Sequence, residues 1–235
     1  MDSVSELRKV ELTGDLFSLN MLERVFNSED INVFSEEHFE YKMFFMKSIL
    51  FEDLDKDELM KVGNDLVKKI NAICSFVKSN YNPVKINEVF IGDCGYMFLE
   101  DHIELRDDLY IVENGEERDL DEAIILEIYS KINKDKLLSE IMILLFDKGT
   151  DWVNLYRILD FFKEDNLTSR GWISKKDLKL LKQTANSYPA IGSEARHGDK
   201  NINIEPPKNP MPLATAQVLV KKIIWHYIKS LDGKS

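Results

Sequence analysis

The chain has 235 residues, 44% of them hydrophobic and 31% charged, and a net charge of −11. This length holds one or two domains, and the balance is that of a soluble globular protein. No apolar run reaches the roughly 18–20 residues that span a bilayer, and residues 1–10 lack the apolar core of a secretory signal. Cys74 and Cys94 are the only cysteines and have no CxxC spacing, which excludes a disulfide framework and points to a reducing cytoplasm.

The net charge hides an asymmetry. Residues 166–235 hold 12 Lys/Arg against 5 Asp/Glu, a surplus of +7, whereas residues 1–165 hold 19 against 37, or −18. A uniformly acidic chain would argue against nucleic acid, because phosphate neutralisation dominates such binding. A basic C-terminal region leaves RNA open as a partner. The same split also suits attraction between the two parts, or a protein partner for the acidic one.

In chain order, 9–13 reads as a strand closed by Gly14-Asp15. Leu16, Leu19, Leu22 and Phe26 then give a helical spacing. Residues 41–51, rich in Met, Phe and Ile, read as a buried strand, with a short helix as the alternative. The clearest helix of the front part is 57–77, where Leu59, Val62, Leu66, Ile70 and Ile73 recur at steps of three and four. Strands are expected at 86–91, 96–99 and 109–112, with turns at Gly92-Asp93-Cys94-Gly95 and Asn114-Gly115. From 121 the strand signals stop. Helices are expected at 123–132, 137–146, 151–165, 175–186 and 213–231, the fourth capped by Ser174 with Asp177 in the capping-box position and an Ile173/Leu178 staple. The reading is α+β: an acidic mixed domain at 1–120 with an antiparallel or mixed sheet, then a helical module at 121–235. The polar connection 187–212 is long enough to suggest function or mobility.

That connection contains Ala195-Arg196-His197-Gly198, a permanent cation beside a side chain that titrates near neutral pH. Metal-independent RNA cleavage needs a proton acceptor or donor and a cation for the phosphate. His197 and Arg196 supply a minimal catalytic pair, especially if a homodimer brings two such pairs together. The pair equally suits a helix C-terminus, where cations are favourable and Gly198 supplies the stop. On the last helix Lys222, His226 and Lys229 share one flank and are the candidate nucleic-acid contacts. Glu100, Asp101, His102, Glu104, Asp107 and Asp108 could hold Mg²⁺ or Mn²⁺, but their alternation with Ile103 and Leu105 fits the wet face of a strand, so no metal and no cofactor is assigned.

The pattern Ala185-Asn186, Gly192, Glu194-Ala195-Arg196-His197-Gly198, Pro206-Pro207, Pro210-Met211 and a final helix with Trp225 resembles the C-terminal module of uncharacterised bacterial and prophage proteins. More distantly, it is similar to HEPN domains. That resemblance implies a dimeric RNA-binding or metal-independent ribonuclease module of bacterial or phage conflict and defence systems. HEPN ribonucleases separate their Arg and His by several residues, whereas Arg196 and His197 are adjacent. The rival expectation is a non-catalytic interaction protein in which the Arg-His junction is a structural corner.

Overall fold

A computed structural model describes residues 7–38, 41–92, 94–97, 122–196 and 206–232. The fold is α+β, and the chain divides into two compact units. The first holds the described residues up to 97 together with 122–130, and the second holds those from 131 onward.

The first unit is built on a five-stranded antiparallel sheet. Its strands are β1 (Arg8–Thr13), β2 (Ile31–His38), β3 (Tyr41–Ser48), β4 (Lys85–Ile91) and β5 (Cys94–Met97), in the spatial order β2-β3-β1-β4-β5. β1 is central because it pairs with both β3 (Val10 opposite Met46) and β4 (Val10 opposite Val89). Two helices belong with the sheet, α1 (Leu16–Val25) and α2 (Lys56–Val77). Asp15 starts α1 by accepting the Ser18 N–H, and Asp55 with Glu58 forms a full capping box at α2, each satisfying otherwise orphaned amides.

Alternation sorts the sheet into two faces. Val10, Leu12, Val33, Phe44, Met46 and Val89 are buried, on the side where α2 lies. Gly63 allows α2 to approach closely: a Cβ there would fall 2.9 Å from Ile86 Cδ1 and 3.2 Å from Val10 Cγ1. On the opposite face Phe34, Phe45 and Phe90 cluster, with ring centres 5.6–5.8 Å apart. The Lys9 ammonium sits 3.7 Å from the Phe45 ring centre and is bonded to both oxygens of Glu36. A buried polar node joins α2 to the start of β4. Asn71 donates to the Val84 carbonyl and accepts from the Val84 N–H and the Tyr81 hydroxyl.

α3 (Glu122–Ile132) runs across the division between the units. The second unit is helical: α4 (Lys136–Lys148), α5 (Trp152–Asp160), α6 (Glu164–Ser169), α7 (Lys175–Ala185), α8 (Tyr188–Ile191) and α9 (Leu213–Ser230). α5 packs against α4, α7 and α9. Its buried Trp152, Leu155, Ile158 and Leu159 meet a core that includes Leu138, Ile141, Leu181, Val220, Ile223 and Ile224. Polar latches fix this packing. Asn154 donates to the Lys148 carbonyl at the end of α4, Gln217 of α9 donates to Thr150, and the Tyr227 hydroxyl donates to Asp135, the N-cap of α4.

Several elements differ from the sequence expectation. β2 went unread. The strand expected at 41–51 ends at Ser48, whose hydroxyl caps a 3₁₀ turn at Ile49–Phe51. The turn expected at 92–95 is tighter, since Cys94 and Gly95 already pair with Ile91 and Phe90, and Gly92 takes a positive φ of 59°. The helix expected at 151–165 is two helices, broken so that Phe162 meets Trp172 and Tyr227 edge-on. At α7 the Ser174 hydroxyl accepts the Asp177 N–H and donates to the Asp177 carboxylate, because Asp is a carbon shorter than the capping-box Glu. The strand and turn expected at 109–115 lie outside the described residues.

Candidate functional site

The site is organised by the last turn of α7, whose final carbonyls need partners. After Ala185 the chain turns through Asn186 and Ser187 into α8, where Pro189 suits the first turn. Gly192 ends α8 with a φ of 62°, a conformation open to glycine without strain. A 3₁₀ turn at Gly192–Glu194 follows, and the Arg196 N–H donates back to the Ala185 carbonyl at 2.9 Å. Further along, the Met211 N–H donates to Thr184 Oγ1 at 3.0 Å, where Thr184 and Met211 are both buried. The connection of 187–212 is therefore tied at both described ends to one helical turn.

The Arg196 side chain reaches from this turn to α5. Its guanidinium carbon lies 4.1 Å from the Tyr156 ring centre, and one Nη donates to Asp160 Oδ2 at 3.1 Å. Tyr156 and Asp160 are four residues apart and so share a helix face. A second cation, Lys182 of α7, lies 5.6 Å from the same ring and is paired with Glu164. The corner is thus an alternation of two cations and two carboxylates around one tyrosine. The Arg196 side chain keeps 32% of its surface accessible. At the same turn, the buried Ser187 Oγ and Asn186 Oδ1 have no hydrogen-bond partner among the described residues.

The other sequence candidates divide. His197, the expected catalytic partner of Arg196, lies outside the described residues. Lys222, His226 and Lys229 do share one flank of α9: the two lysines are exposed and His226 is half-buried. Among the described residues, no hydrogen bond, ion pair or ring contact joins Arg196 to that flank. His226 instead stacks on Trp172, with ring centres 6.0 Å apart and planes 11° from parallel. The Arg170 guanidinium lies 5.2 Å from the same indole. The carboxylates and histidine of 100–108 also lie outside the described residues, and no group of three or more metal-ligating side chains occurs among those described.

Sequence reasoning did not assign Tyr156 and Asp160 to the site. Tyr156 reads as one more member of the apolar stripe of α5, and only its spacing from Asp160 hints at a clasp for a cation. Trp172 reads as a core anchor, but it is half-buried and presents its ring to Arg170 and His226. Among the described residues no helix is long and apolar enough to cross a membrane. Comparison with protein-family models, with curated proteins and with solved structures finds no match.

Proposed function

We propose that this chain is a non-catalytic interaction protein in which Arg196 is a structural corner of the helical unit and the acidic front unit receives a partner. The observation that carries this reading is the engagement of Arg196. Its guanidinium is stacked on Tyr156 and paired with Asp160, and its backbone closes α7. A catalytic phosphate clamp needs donors aimed at the developing charge, whereas this side chain is clasped by its own helices. The 27 acidic against 13 basic residues of 1–120 favour a partner with a basic surface.

A second reading is supported by the third of the Arg196 side chain that stays accessible and by the +7 surplus of residues 166–235. In it the helical unit binds or cleaves RNA without metal, as the HEPN resemblance implies, with His197 as acid or base and Arg196 turning to phosphate in a homodimer. The test is incubation of the purified full chain with a mixed RNA pool in chelator. The corner reading expects intact RNA from the wild type and a measurable loss of stability in Arg196→Ala. Cleavage that disappears in Arg196→Ala or His197→Ala while the fold persists would overturn it in favour of the ribonuclease.

A further inference from the structure

Trp172 sits in the short turn between α6 and α7. Phe162 and Tyr227 meet it edge-on, at 6.3 Å and 6.4 Å between ring centres with interplanar angles of 84° and 66°. Edge contacts of this kind fix a ring's orientation. Against the indole so held lie two more flat groups, the His226 imidazole in parallel stack and the Arg170 guanidinium. Trp172 and His226 are half-buried and Arg170 is exposed, so this tier of planar groups lies at the surface. Along α9, Lys222 and Lys229 stand four residues before and three after His226, on the same flank and exposed.

The cations here differ from those of the Arg196 corner. There Arg196 and Lys182 are matched by Asp160 and Glu164. Among the described residues, Arg170, Lys222 and Lys229 have no carboxylate partner. Planar rings flanked by unmatched cations are the elements that bind unpaired nucleotides: bases stack on aromatic and guanidinium planes, and phosphates meet the lysines. A duplex keeps its bases stacked internally and offers no base face to such a tier. We infer that the Arg170–Trp172–His226 tier, with Lys222 and Lys229, binds single-stranded RNA. The inference rests on the RNA-binding reading given above and gives it a place separate from Arg196.

The experiment is fluorescence anisotropy of the full chain with a short, unstructured, labelled oligoribonucleotide, at several salt concentrations, with duplex RNA in parallel. His226→Ala is expected to weaken binding about tenfold, the worth of part of one stacking contact. The double variant Lys222→Glu/Lys229→Glu is expected to weaken it further and to flatten the salt dependence by about one to two phosphate contacts. Lys61→Glu on α2, an exposed lysine of the first unit, serves as the charge control and leaves binding unchanged. All the substituted positions are at least partly accessible, and circular dichroism verifies that each variant is folded. Wild-type protein that binds no RNA sinks both this inference and the RNA-binding reading. Wild type that binds while His226→Ala and the lysine pair bind equally well overturns this surface alone. Duplex bound as tightly as single strand overturns the stacking.

Discussion

Replacing Arg196 by alanine removes one ion pair and one cation–π contact and leaves the backbone return to Ala185 in place. The pair with Asp160 is partly exposed, so solvent screening holds it to about 0.5 kcal/mol. The guanidinium over Tyr156, 4.1 Å from the ring centre, adds about 0.5–1 kcal/mol at such a site. The expected loss for Arg196→Ala is therefore about 1–1.5 kcal/mol of helical-unit stability. Arg196→Lys keeps the charge but not the flat face, and is expected to recover about half of it. The chain itself supplies the probe. All three of its tryptophans, Trp152, Trp172 and Trp225, lie in the helical unit, so indole emission during urea unfolding follows that unit. Double-mutant cycles with Asp160→Asn and with Tyr156→Leu then isolate the two contacts. An unchanged urea midpoint for Arg196→Ala refutes the corner. So do cycle energies that vanish into the about 0.3–0.5 kcal/mol within which independent sites add.

Three further outcomes test the first unit and its chemistry. Asn71→Ala strands the Tyr81 hydroxyl and both backbone groups of Val84, all in buried residues. At about 1–3 kcal/mol for each unsatisfied group, it should lower stability by at least about 3 kcal/mol in urea unfolding followed by far-ultraviolet circular dichroism. Burial pushes the Cys74 thiol well above its ordinary range, whereas Cys94 is exposed. A thiol reagent should therefore modify Cys94 quickly in the native protein and Cys74 only in denaturant, as mass spectrometry of the adducts will record. Burial opposes ionisation of Glu23, but hydrogen bonds from Lys42 and Ser35 and the lysine charge outweigh it and hold the carboxyl below its ordinary range. Its contribution is present above the unfolded-state value of about 4.3 and disappears as pH falls through the lower folded-state value. The stability gap between wild type and Glu23→Gln, measured by urea unfolding, should thus be constant near neutrality and close progressively as the solution is acidified below the unfolded-state carboxylate value.

What could be read from the sequence followed from how many side chains an element buries. α2 presents a continuous stripe through Leu59, Leu66, Ile70 and Ile73, all buried, so its period is plain along its whole length. β2 buries Ile31 and Val33, and its later residues Ser35, Glu36 and Glu37 are partly or fully exposed. Two apolar positions do not make a period, and β2 owes its extension to pairing with β3 from Ile31 opposite Ser48 to His38 opposite Tyr41. The break between α5 and α6 contains neither proline nor glycine. Its local signal is the acidic Glu164-Asp165 at the start of α6, which suits a new helix N-terminus. The site follows the same logic. Arg196 stands out as a cation at a junction, but Tyr156 and Asp160 lie about forty residues earlier, and only folding places them beside it.

Lys9 has a consequence for how the molecule treats its own copies. A sheet face carrying Phe34, Phe45 and Phe90 alone would be adhesive, and a β-sheet with free edges is the usual template for aggregation. The ammonium held over Phe45 and tied to Glu36 puts a charge pair on that face, and any apolar surface laid there must desolvate the Glu36 carboxylate, the more accessible partner at 38% against 12% for Lys9. A charge directed onto the sheet in this way guards solubility at little expense to the fold. Lys9→Met would pack on the same three rings and keep the sheet folded, yet it would leave that face without its charge and prone to associate as concentration rises.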